Sequence, residues 1–312
     1  MRGTGTSRGV RRALAHALDS YPPIIDHPSP VINRRAFTLI ELLVVIAILA
    51  LLMSILMPML QRARKHAKAI ACQGNLRQWG ILYAAYAAEN EGHFPGWNEG
   101  PTDGFGPWWG SGLDYWGRGA ERPESPWYST AKDILLCPTA TKLANPTDEG
   151  DPMGGTFLAW GLGNRRGPWW DGHGSYGVNE WLAWWGASSD GYSRNHSWST
   201  TDVKEAAAIP VLLDSAWCVG GWYGANGSSM PPPEFDAVPT LVHSDTLNPF
   251  CINRHDGCVN GVFLDWSVRK VGLKELWTLR WHKEYVTRGP WTKAGGVKPE
   301  DCPEWMRRFK DY

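Results

Sequence analysis

The chain of 312 residues lacks net charge, because Lys+Arg 31 balance Asp+Glu 31. That absence removes the electrostatic footprint of a general nucleic-acid binder. No Cys-x2-Cys pair and no His-x3-His pair occurs, so spacing offers no zinc knuckle and no iron–sulfur site. Past the leader no Gly-x-Ser-x-Gly occurs, and with it goes the local signature of a serine hydrolase. The expectation is a protein that is not an enzyme, with no cofactor and no metal. Tryptophan is absent before Trp79 although the chain holds 20, so the N-terminal quarter does a different job from the rest. Gly 35 and Pro 23 stay below the share at which low complexity becomes the default. The length suffices for one or two globular units.

What is present begins with a leader that cannot build a core. Arg2, Arg8, Arg11, Arg12, Arg34 and Arg35 are interspersed with Pro22, Pro23, Pro28 and Pro30. From Phe37 to Met57 runs FTLIELLVVIAILALLMSILM, with Glu41 as its one charge. As a helix it is long enough to cross a hydrocarbon layer of about 30 Å. A buried core helix is rarely apolar all round over such a length. A cleaved secretory signal has a shorter apolar region and an Ala-x-Ala site, whereas Pro58-Met59-Leu60-Gln61-Arg62 follows here. An ordinary anchor fits the run but leaves Glu41 unexplained, since a carboxylate in lipid is costly unless paired.

Arg34-Arg35-Ala36 followed by Phe37-Thr38-Leu39-Ile40-Glu41 and a long apolar helix resembles the N-terminal cleavage and methylation motif of type IV pilins and type II secretion pseudopilins. The resemblance implies cleavage between Ala36 and Phe37 by a prepilin peptidase, with methylation of the new Phe37 amine. Ala36 departs from the usual Gly. Glu41 would pair with the N-terminal amine of a neighbouring subunit, and Pro58 matches the helix-kinking proline of many pilins. Val31–Ala36 alone would make a typical short leader, so residues 1–30 are expected to be a start-site artefact. Arg62, Arg64, Lys65 and Lys68 after the helix oppose the orientation the motif implies; the motif is taken to override them.

Beyond Pro58 the helix is expected to continue as an amphipathic spine. Leu76, Trp79, Tyr83 and Tyr86 form its apolar stripe, and Glu91-Gly92-His93-Phe94-Pro95 stops it. The organisation is then leader 1–36, transmembrane helix 37–57, spine 58–92 and head 93–312. In the head, Ile134–Pro138, Ile209–Asp214 and Gly261–Val271 read as strands, the last alternating with Val262, Leu264, Trp266 and Val268 on one side and Phe263, Asp265, Ser267 and Arg269 on the other. The fold class is α+β: a pilin-like long helix packed on a small antiparallel sheet with long Gly/Pro/Trp-rich loops.

His255, nine residues and Asp265 resemble the C-terminal His-x9-Asp-Gly element of a pseudopilin-like family abundant in planctomycete-type bacteria, with Trp266 in place of the Gly. Cys72–Gln78, Leu136–Pro138, Ser175–Asn179 and Arg254–Gly257 match that family's habits too. The expectation for His255 is a structural hydrogen bond that holds the turn into the last strand. Coordination of a metal by His255 with Asp256, Asp265 or Asp214 is the chemical alternative.

Six cysteines follow the membrane segment, and export to an oxidising space would permit pairing. Cys72 with Cys137 is the preferred bridge, tying helix to head; buried thiols are the alternative. The pairs Trp169-Trp170 and Trp184-Trp185, set among glycines, have the composition of a glycan-stacking face, against core and subunit packing as the other reading. Two functions result. The favoured one is a pilin or pseudopilin subunit of the inner membrane, N-terminus cytoplasmic and head periplasmic. Its partners are prepilin peptidase, other pilin and pseudopilin subunits and the inner-membrane assembly platform of a type II secretion or type IV pilus-like system. The runner-up is a membrane-tethered carbohydrate-binding module.

Overall fold

One helix, α1, runs from Leu39 to Glu89 in the computed structural model, which describes residues 38–94, 134–144, 153–161, 173–182, 196–221, 229–236 and 247–312. The chain divides into two compact units, 1–56 and 57–312. Helix α1 starts on a capping box: the Thr38 backbone N–H and hydroxyl donate to Glu41 Oε2 at 2.9 and 2.8 Å, and the Glu41 N–H donates to Thr38 Oγ1 at 3.3 Å. It ends where Asn90 Nδ2 caps the Tyr86 carbonyl at 2.8 Å and Glu91 and Gly92 turn left-handed, at φ 54 and 80. Pro58 sits inside it and cannot donate to the Ser54 carbonyl.

The part of α1 in the first unit exposes its leucines, isoleucines and valines on all sides and is long and apolar enough to cross a membrane. In the second unit the same helix buries a stripe of Ala69, Cys72, Leu76, Trp79, Tyr83 and Ala87. The steps of three and four are those of one helix face. Tyr86, expected on the stripe, is half-buried. Small residues extend the stripe at both ends, and Gly80 lets β-sheet side chains approach, since a Cβ there would lie 3.0 Å from Val262 Cγ2.

The stripe packs on a five-stranded sheet. Its strands are β4 (Tyr176–Asn179), β5 (Pro210–Asp214), β6 (Val219–Gly220), β7 (Cys258–Phe263) and β8 (Val268–Gly272), in the order β6-β4-β5-β7-β8. Only the β4–β6 pair is parallel. Central β5 pairs Tyr176↔Asp214 with β4 and Leu212↔Val262 with β7. All of its residues are buried, as a strand covered on both faces requires. A second sheet, β1 (Lys142–Leu143), β2 (Leu158–Gly161) and β3 (His173–Gly174), is short. The architecture is α+β, a long N-terminal apolar helix followed by small, mainly antiparallel sheets, consistent with a pilin-like fold.

Two expected strands are corrected. The run 261–271 is a hairpin: β7 ends at Phe263 and β8 begins at Val268. Asp265 Oδ1 accepts from the Ser267 N–H at 3.0 Å and hydroxyl at 2.6 Å, an Asx-type turn, and Trp266 takes φ 65. Alternation survives a turn this tight, which is why the pattern read as one strand. Ile134–Pro138 forms turns, because its carbonyls are taken by the helix: Ile134 accepts from Trp79 Nε1 at 3.0 Å and Leu136 from Asn75 Nδ2 at 2.9 Å.

The same device recurs through the head. Indole N–H groups of Trp160, Trp198, Trp277, Trp281, Trp291 and Trp305 each donate to a backbone carbonyl, at 2.8–3.0 Å. Trp160, Trp198, Trp277 and Trp281 are buried and Trp291 and Trp305 half-buried, so each ring contributes apolar surface while its N–H satisfies a main-chain carbonyl. Among the described residues, these indoles add ties between segments where strand ladders are short.

Candidate functional site

In the first unit, Glu41 stands in the opening turn of α1, both bonds from Thr38 going to its Oε2. The processing residues Ala36 and Phe37 lie outside the described residues, as do Trp169, Trp170, Trp184 and Trp185.

In the second unit, four segments bring chemistry-bearing side chains together. Cys72 comes from the buried stripe of α1, and Cys137 from the turns after Ile134. Asp214 is the last residue of β5, and His255 precedes β7. One thiol or thiolate sulfur, imidazole nitrogen or carboxylate oxygen from each lies within 4.8 Å of the others. Cys72 Sγ is 3.4 and 3.6 Å from the two Asp214 oxygens. His255 Nε2 is 3.1 Å from Asp214 Oδ2 and 3.4 Å from Cys137 Sγ. Both cysteines and Asp214 are 0% exposed. All six cysteines are free thiols, so Cys72 and Cys137 meet without a bridge.

Arg254 closes the cluster. Its side chain donates from Nε to the Thr156 carbonyl at 2.9 Å, and from Nη2 to those of Gly155 at 2.8 Å and Ser215 at 3.1 Å. Nη1 reaches the Ser175 carbonyl and, at 3.3 Å, Asp214 Oδ1. The Asn260 N–H donates to Asp214 Oδ2 at 2.8 Å. Burial opposes the Asp214 charge, but His255, Arg254 and Asn260 outweigh it and hold its pKa below the usual carboxylate range. For His255, burial works against the imidazolium, and the bonds to Asp214 and Cys137 prevail, raising it to about 9. The bond from Cys72 favours the Cys137 thiolate, and burial pushes the Cys72 thiol up.

Of the residues singled out by sequence, the structure brings Cys72, Cys137 and His255 into one cluster. Asp265 does not join them: it is exposed in the β7–β8 turn, where it holds Ser267. Asp214, one of the carboxylates the sequence offers as a ligand beside His255, does join them. Arg254 had no signal beyond its place beside His255, because a buried arginine is visible only through its partners.

A separate buried pocket predicts acid lability. His282 Nδ1 accepts the Glu284 backbone N–H at 3.2 Å, so the ring is neutral. Trp181, Tyr285 and His196 pack around it, and His196 reaches Glu284 at 2.9 Å. Burial, then the neighbouring His196, lower the His282 pKa from 6.5 to about 4. The unfolded chain therefore binds a proton at this position below about pH 6.5 that the folded chain refuses until about pH 4. This site's contribution is intact above pH 6.5 and falls across that window, by about 2 kcal/mol at pH 5. His282→Gln is expected to flatten the dependence of Tm on pH between 7 and 5; an unchanged slope would move the effect elsewhere.

Residues 32–57 match the family model for the prokaryotic N-terminal methylation motif. No curated protein and no solved structure matches the chain. The motif supports a type IV pilin-like protein, made as a precursor of the kind processed by prepilin peptidase, and a structural role for it. An exposed apolar helix beginning at Leu39 is consistent with anchoring in the inner membrane.

Proposed function

We propose that the chain is a pilin or pseudopilin subunit, cut between Ala36 and Phe37, methylated at Phe37, and assembled through α1 into a filament of a type II secretion or type IV pilus-like system. The observation that carries this reading is the methylation motif at 32–57 running into a helix apolar on every side. In a monomer that surface has only lipid to face; in a filament it packs against the same helix of other subunits, with Glu41 against a neighbour's Phe37 amine. The precursor sits in the inner membrane with its N-terminus cytoplasmic and its head periplasmic. The prepilin peptidase and the assembly platform are its partners. The His255 and Asp265 spacing supports placing the head among the His-x9-Asp-Gly pseudopilin-like chains.

The test is the intact mass and N-terminal sequence of the chain recovered from membranes that contain a prepilin peptidase. A chain that begins at N-methylated Phe37 is expected. Retention of Arg34-Arg35-Ala36 would reject the pilin route, leaving α1 as a plain anchor.

A further inference from the structure

The convergence of Cys72, Cys137, Asp214 and His255 demands an account of its own, because nothing in filament assembly calls for it. We propose that these four side chains form a zinc-binding site that fastens the α1 spine to the sheet. Tetrahedral zinc, with bonds of about 2.3 Å to sulfur and about 2.0–2.2 Å to nitrogen or oxygen, holds its ligand atoms about 3.3–3.8 Å apart. With Asp214 Oδ2 as the carboxylate ligand atom, the edges seen are 3.6 Å from it to Cys72 Sγ, 3.1 Å from it to His255 Nε2, and 3.4 Å from Cys137 Sγ to His255 Nε2. These three edges lie close to those of the shell, and all four donors fall within 4.8 Å of one another, so a small inward shift of the side chains completes it.

Two other uses of the cluster fit less well. In a Cys–His–Asp nucleophile relay, one ring nitrogen takes the nucleophile's proton while the other is held by the carboxylate. Here Nε2 alone faces both Cys137 and Asp214, as a ligand atom aimed at a shared centre does. The Cys137 and Asp214 residues are 0% exposed, and the His255 side chain 2%, so a substrate has no approach. A Cys72–Cys137 disulfide would tie the same segments, but it would leave the His255 and Asp214 convergence without a purpose.

Charge supports a divalent cation. Two thiolates and a carboxylate carry three negative charges, which zinc and the Arg254 guanidinium balance. Arg254 at Asp214 Oδ1 and the Asn260 N–H at Oδ2 orient the ligating carboxylate from behind, as outer partners of metal ligands do. Two thiolates and an imidazole select zinc over magnesium or calcium. The protons on the thiols and the imidazolium leave as the metal enters.

The experiment uses the full chain in detergent, reduced, stripped with a chelator and then loaded with Zn2+ or Co2+. One zinc per chain is expected by elemental analysis. Cobalt should give a thiolate charge-transfer band with the visible bands of tetrahedral coordination. Zinc at about 1,000 times its Kd should raise Tm by roughly 10 °C. Cys137→Ser and His255→Gln should each weaken binding by at least about tenfold while keeping the near-ultraviolet dichroism of the tryptophan core. If both variants unfold, the cobalt spectrum of the unmodified chain decides alone. Substoichiometric zinc without a thiolate–cobalt band would overturn the site. A Cys72–Cys137 disulfide in chain isolated without reductant would do the same. Neither result depends on whether Phe37 is processed.

Discussion

Arg254→Met is expected to destabilise the head by about 3–5 kcal/mol, lowering Tm by roughly 10 °C under fixed metal conditions. Methionine keeps most of the stem volume, so the loss reads out the guanidinium. That group is fully buried and joins the Gly155, Thr156, Ser175 and Ser215 carbonyls to the Asp214 carboxylate. Its removal takes the side-chain donor from the Gly155, Thr156 and Ser215 carbonyls, leaves the Ser175 carbonyl with the Ser215 N–H and Asp214 with His255 and Asn260, and an unpaired buried acceptor costs more than the pair gained. The carbonyls belong to segments around β2, in one sheet, and β4 and β5, in the other, so the arginine ties together two sheets that no ladder joins. Arg254→Lys should recover only part of the loss, since an ammonium cannot span that fork. Urea unfolding with unchanged m-value checks both variants; a loss below about 1 kcal/mol for the methionine variant would show that water fills the gap.

How much of this was legible in the sequence depends on the range of the interactions. The apolar run, the capping residues Thr38 and Glu41, and the stripe of Leu76, Trp79 and Tyr83 are local patterns, and the helix follows them. Central β5 was legible as Ile209–Asp214 because a doubly covered strand reads as a continuous apolar run. The hairpin at Asp265–Ser267 was missed because alternation does not reveal a reversal. The metal-ligand set was illegible from spacing: its donors come from α1, a turn, the end of β5 and a loop, with no short-range pair among them. Sequence reasoning therefore expected no metal, and took Cys72 with Cys137 as a covalent tie. The two segments do meet. What joins them depends on Asp214 and His255, which only the fold places beside the sulfurs.

Glu41→Gln separates two roles that share one side chain. In the single chain, Glu41 closes the capping box with Thr38, which stabilises the helix start by about 1 kcal/mol. A glutamine fills that position equally well, because the box needs an oxygen acceptor and no charge. A carboxylate placed at the edge of an apolar span costs more than its amide there, so if capping were its whole purpose the substitution would be silent or favourable. The filament reading gives the charge a purpose: a methylated Phe37 amine on a neighbouring subunit, also poor in water contacts, is neutralised by it. Glu41→Gln is thus expected to leave cleavage before Phe37 and the amount of chain in the membrane unchanged, and to reduce filament incorporation at least about tenfold, the equivalent of one lost ion pair of about 1.4 kcal/mol or more. Sheared filaments and membranes, quantified from the same cells, give the ratio. Incorporation at the unmodified level would assign Glu41 to the helix cap alone, and the apolar packing of α1 would have to drive assembly by itself.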